Sequence, residues 1–193
     1  NNARNALNIY YDKPQDSFIQ SYAYHFLILS KRGATWAQCD YIKILWKQKN
    51  PNYWTIMFNY AITLPNNNPE IYGWLSRCYR EGRGIEKNLI IAAKWMRKAC
   101  EGGVKWADWE LFDILWRINT PESMSEAVGF GMPLAESGVR ELQGWIARCY
   151  REGKGVEKDL DKAAEWMRKA CNQKLWYASW ELFDILWLID TPV

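Results

Sequence analysis

A single histidine, His25, stands in a chain of 193 residues. A zinc site needs several imidazole or thiolate ligands at short spacings, and a nucleophilic side chain needs a base beside it, so one histidine leaves little for either chemistry. Its apolar neighbours Phe26, Leu27 and Ile28 predict a packed or half-buried ring. No run of about 18 uncharged apolar residues occurs, so no membrane helix and no membrane partner are expected. No charged-then-apolar leader opens the sequence, and a removed one stays an open alternative. The formal net charge of +3 is too small for the basic stripe of a nucleic-acid binder. No segment alternates with period two long enough to make a strand. The five cysteines are odd in number, and four of them stand at equivalent positions, Cys78 with Cys149 and Cys100 with Cys171. Buried free thiols are expected over a disulfide, and with them a reducing, cytoplasmic setting.

Tryptophan, by contrast, is abundant, at 13 residues. So is self-similarity. Residues 73–121 align with 144–192 without a gap, a period of 71, and share 32 of 49 positions. The octapeptide WELFDILW occurs unchanged at 109–116 and 180–187, and 33–51 aligns with 103–121 as a weaker copy. Within this period a stripe of small or apolar residues at i, i+4 and i+8 recurs, which is one face of an α-helix. It reads Ala3-Leu7-Tyr11, Ala37-Tyr41-Leu45, Ile71-Leu75-Tyr79, Ala107-Leu111-Leu115, Leu142-Ile146-Tyr150 and Ala178-Leu182-Leu186. These stripes predict six helices of one kind, termed A. Helices of a second kind, B, alternate with them, most plainly over 89–101 and 160–172. Asn88 and Asp159 stand where N-caps belong, and Asn50-Pro51, Asn68-Pro69, Thr120-Pro121 and Thr191-Pro192 each pair a cap residue with proline at the first helical position. The expected fold is an all-α array of about eleven helices in antiparallel pairs, one domain over 1–193.

The stretches RCYREGRGIEKN (77–88) and RCYREGKGVEKD (148–159) could suggest a phosphate cradle, yet the glycines follow a helix instead of opening one. Gly82 suits a left-handed C-cap, and Gly84 a turn. No cofactor is expected. Together with the helices that flank them, LSRCYREGRGIEKNLIIAAKWMRKAC and IARCYREGKGVEKDLDKAAEWMRKAC resemble the Sel-one-like repeat, a relative of the tetratricopeptide repeat. The resemblance implies a right-handed α/α superhelix, a solenoid that serves as a scaffold for other proteins, and not an enzyme. It also bears on the thiols, because cysteine-rich secreted members pair a cysteine at the end of helix B with one eight residues on. Here those positions are Asp108 and Ser179.

Equivalent positions of successive A helices should lie side by side. One before the central anchor the series is Asp40, Trp74, Glu110, Trp145, Glu181; two beyond it is Lys43, Arg77, Asp113, Arg148, Asp184; five beyond it is Trp46, Arg80, Trp116, Arg151, Trp187. Arginine beside acid gives ion pairs and arginine beside tryptophan gives cation–π contacts, ladders that stitch unlike units in order. The first two ladders also define a concave groove of Trp74, Arg77, Glu110, Asp113, Trp145, Arg148, Glu181 and Asp184, with the residue types of interaction hot spots. The expected occupant is a protein or peptide; the alternative is a glycan, with the chain as an accessory domain of a bacterial surface-carbohydrate enzyme. At the far end, Leu182, Phe183 and Leu186 should lack half their cover. That end is read as a fragment of a longer protein, as a face covered by another molecule, or as a site of self-association.

Overall fold

The computed structural model describes residues 16–64 and 68–190. The stripe Ala3-Leu7-Tyr11 and the Thr191-Pro192 turn lie outside them. Among the described residues there are ten helices and no strand, where about eleven helices are expected. They are α1 (Asp16–Lys31), α2 (Thr35–Trp46), α3 (Pro51–Thr63), α4 (Pro69–Glu81), α5 (Leu89–Glu101), α6 (Ala107–Ile118), α7 (Pro121–Glu136), α8 (Arg140–Glu152), α9 (Leu160–Asn172) and α10 (Ala178–Asp190). The even-numbered helices carry the A stripe and the odd-numbered ones are B. The chain divides into two compact units, Asn1–Lys87 and Asn88–Val193. Within each, consecutive helices pack on one another, and A helices also touch across the B helix between them, α2 with α4 and α6 with α8. This is an α/α repeat array.

The helix starts follow from their caps. Asn50, Asn68, Asn88 and Asp159 each accept a backbone N–H from two or three residues on, at 2.9 to 3.1 Å. Thr120 accepts from the Ser123 amide at 3.2 Å while Ser123 Oγ accepts from the Thr120 amide at 3.0 Å, a reciprocal box with serine in the usual place of glutamate. The anchors Tyr41, Leu75, Leu111 and Ile146 are buried in their units, with Met57, Met96 and Met167 from the B helices beside them in the core. Leu182 and Leu186 are half-buried and Phe183 is 61% exposed, as expected of an end with half its cover missing.

The glycine pair is architecture. Gly82 and Gly153 close α4 and α8 in the left-handed region, at φ 74° and 70°. Gly84 and Gly155, also left-handed, have a second reason. A Cβ on Gly84 would run into the carbonyl of Trp54 on α3, and one on Gly155 into that of Met124 on α7. The loops after α4 and α8 thus rest on the first turn of the preceding B helix, and only glycine allows the approach. His25, expected to be packed or half-buried, is exposed. It sits on α1 away from Ala23, Phe26 and Ser30, which are buried.

Candidate functional site

The tryptophan and arginine ladders meet in a continuous stack of rings and cations, built twice. In the second unit Lys154 Nζ lies 4.4 Å from the Trp116 ring, Trp116 lies 5.1 Å from Trp145, and the Arg148 guanidinium lies 4.6 Å from Trp145 on its own helix. Arg148 also lies 4.6 Å from the Tyr177 ring, while Phe112 packs on Trp145 at 5.7 Å. In the first unit Arg83 lies 4.2 Å from Trp46, Trp46 lies 5.5 Å from Trp74, and Arg77 lies 4.7 Å from Trp74. Loop cation, tryptophan, tryptophan and arginine follow in the same order and at equivalent positions. Such stacking suits the negative faces of indole rings and the weak hydration of guanidinium.

Sequence reasoning placed Arg80 and Arg151 on the tryptophans of their ladder and missed the loop cations. Arg83 and Lys154, between the two glycines, lie on Trp46 and Trp116, because the loop folds back over the preceding helix pair. Arg151 directs its guanidinium to Glu152 at 3.1 Å and Glu181 at 3.7 Å. Tyr177 was also missed. Its signal was its alignment with Trp106, an aromatic in both copies.

Arg148 closes the stack electrostatically. Its Nε is 2.9 Å from both Glu181 oxygens, and its Nη2 also bonds that carboxylate, in a bidentate pair. The expected partner in its own series, Asp184, is exposed and makes no ion pair among the described residues. The fork reaches instead the residue one before the anchor of α10, on the side of that helix turned towards α8. Side-chain exposures of 21% and 17% put the pair between surface and core. Burial alone would push the Arg148 guanidinium down; hydrogen bonding and the charge of Glu181 more than reverse this and hold it above its ordinary value.

The other groove residues divide by burial. Trp74, Glu110 and Asp113 are buried, Glu110 to 1% exposure, and Asp113 accepts from Arg117 on its own helix at 2.8 Å. Arg77 and Trp145 are half-buried. In the first unit Lys43 stands 3.6 Å from Asp40 and 3.6 Å from Glu70. The ladders therefore lie largely between helices, with Arg148, Glu181, Trp145 and Asp184 reaching the surface. No group of three or more His, Cys, Asp or Glu side chains able to hold a metal occurs among the described residues. Burial pushes the thiols of Cys39, Cys78, Cys100 and Cys149 up to about 12, so none is a thiolate near neutral pH.

All five cysteines are free. Cys171 Sγ lies 4.0 Å from Ser179 Oγ, eight residues on. Ser179→Cys should therefore form a disulfide with Cys171 on mild oxidation. Closing so short a loop is worth about 2.5 kcal/mol in the chain-entropy account, and oxidised minus reduced melting temperature measures it. A variant that stays reduced beside an oxidised control would contradict this geometry.

Comparison with known proteins agrees with this architecture. The Sel1 repeat matches residues 72–104 and 143–175, the segments that carry the two glycine-pair loops. The chain thus contains Sel1 repeats. Among solved structures it is similar to a protective antigen present in uropathogenic Escherichia coli strains that displays an SLR fold, with 28% identity, a TM-score of 0.70, and 85% of this chain covered. It is also similar to a Sel1 repeat protein from Oxalobacter formigenes, at 23% identity and TM-score 0.66 over 83% of this chain. It spans 36% of the first protein's length and 65% of the second's. Sel1 repeat proteins are generally protein-interaction scaffolds and typically not enzymes.

Proposed function

We propose that this chain is a non-enzymatic scaffold that binds a protein or peptide partner on the surface made by Trp145, Arg148, Glu181 and Asp184. Arg77 is the half-buried equivalent of Arg148 in the first unit, where Trp74 is buried, as Glu110 and Asp113 are in the second. The observation that carries this reading is the clamping of Arg148. Two rings lie 4.6 Å from its guanidinium and a carboxylate fixes its donors, so its exposed part is ordered before a partner arrives. An arginine and a tryptophan already immobilised lose little entropy on binding, which is what makes a hot spot. Asp184, three residues beyond Glu181 on α10, supplies an exposed acid suited to a basic or hydrogen-bond-donating segment.

The test is selection of binders from a displayed peptide library, followed by titration against variants. Trp145→Ala and Asp184→Ala should each weaken the selected peptides roughly tenfold or more while helicity persists. Arg148→Ala should do the same, and should also cost about 2 kcal/mol of stability by leaving Glu181 with only its longer contact to Arg151. Peptides that bind both surface variants as well as the parent would overturn the assignment. Saturable quenching of tryptophan fluorescence by oligosaccharides, with no peptide selected, would favour a glycan ligand.

A further inference from the structure

The two copies of WELFDILW have opposite fates. On α6, Phe112 is fully buried, with its ring against Gly131 of α7; a Cβ at that glycine would stand 2.7 Å from Phe112 Cε2. On α10, the equivalent Phe183 is 61% exposed and Trp180 77% exposed. The charged contact beside it repeats the contrast. Arg97 of α5 forms a two-point bridge to Glu126 of α7, with Nη2 at 2.7 Å. Its equivalent on α9, Arg168, is exposed and makes no ion pair among the described residues. The surface that receives α7 in the first copy is thus present, and uncovered, in the second.

The chain also shows what such a surface requires. Counted from its leading proline, α7 meets Arg97 with its sixth residue, Glu126, and Phe112 with its eleventh, Gly131. In the earlier copy the positions equivalent to Arg97 and Phe112 are Leu27 and Ile42, and the sixth and eleventh residues of α3 are Ile56 and Ala61. By position, apolar Leu27 corresponds to apolar Ile56, which is 48% exposed, and the cation Arg97 to the acid Glu126. The larger Phe112 is matched by the smaller Gly131, and by position the smaller Ile42 corresponds to the larger Ala61, as close packing demands. Arg168 and Phe183 are the cation and the larger ring again.

We propose that the α9–α10 face seats one further helix of α7's chemistry: proline-led, with an acid at its sixth position facing Arg168 and a glycine at its eleventh facing Phe183. This occupant is separate from the Trp145–Arg148 surface and does not depend on it.

A peptide of residues 120–139, which contains no tryptophan, is the probe. Titrated into the full chain, it should change the tryptophan fluorescence saturably at one site. Phe183→Ala, an exposed substitution that leaves the fold intact, should abolish this. Arg168→Glu should weaken binding about tenfold, and the Glu126→Arg peptide should restore it to that variant. The Gly131→Leu peptide should not bind. Absence of saturable binding up to millimolar peptide would overturn the proposal. So would equal binding of the Gly131→Leu peptide, or failure of the charge exchange to restore binding. Self-association in sedimentation that Phe183→Ala removes and the peptide cannot displace would identify a second copy as the occupant instead.

Discussion

Phe112→Ala should lower the melting temperature by roughly 10 °C, whereas Phe183→Ala, the same change in the same eight letters, should move it by about a degree or less. The difference is environment alone. Phe112 is fully buried between Gly131, Trp145 and the side chain of Ile146, so truncation removes its transfer energy and leaves a cavity, about 3–5 kcal/mol together. The cavity would also undercut Trp145 and through it the stack that ends at Arg148. Phe183 has a ring partner in Trp187 at 6.4 Å, and most of its surface is already wet. Denaturant or thermal unfolding of the two variants beside the parent reads the difference directly. Equal effects would mean that the α10 face is covered in solution.

Gly155→Ala should cost on the order of 3 kcal/mol, against about 1 kcal/mol for Gly103→Ala in the same unit. Both residues are left-handed, at φ 72° and 77°, so both substitutions carry the strain of placing an L side chain there. They differ in what the new Cβ meets. At Gly103 nothing lies within 4 Å; at Gly155 it would strike the Met124 carbonyl, with Val128 Cγ2 at 3.0 Å behind. Backbone cannot rotate away as a flexible side chain can, so the loop must lift and take Lys154 off Trp116. Urea midpoints of the two variants separate conformational strain from close approach. A Gly155→Ala midpoint no lower than that of Gly103→Ala would mean the loop is not seated on α7.

The period, the helices and their caps were legible because each depends on residues close in the chain. A stripe at four-residue spacing, an asparagine before a proline and a glycine after a helix are local statements, and Asn50, Asn68, Asn88, Thr120 and Asp159 all cap as their positions imply. The ladders were half legible. Periodicity identified which residues share a register, so Trp145, Arg148 and Glu181 come together. It could not give the offset between neighbouring helices, and that offset decides that Arg148 meets Glu181 and not Asp184. Nor could it show which side of a shared register faces inward, so Glu110 and Asp113 were read as groove lining although they are buried. Arg83 and Lys154 were missed for a related reason. A loop's path over a distant helix depends on how closely two backbones can approach, and that becomes visible only when the carbonyls of Trp54 and Met124 are in place.

The seating of each glycine-pair loop on the helix before it bears on how the array comes apart. In repeat proteins the balance between a unit's own stability and its coupling to neighbours sets whether units melt one by one or together. The loop after α4 reaches α3, and Arg83 crosses to Trp46 and Trp54; the loop after α8 reaches α7, and Lys154 crosses to Trp116. Fraying of one helix pair therefore breaks contacts that the preceding pair relies on. Within each compact unit this shifts the balance towards coupling. Amide exchange should accordingly show one shared opening energy across α6 to α8, where a chain of independent hairpins would show a graded series.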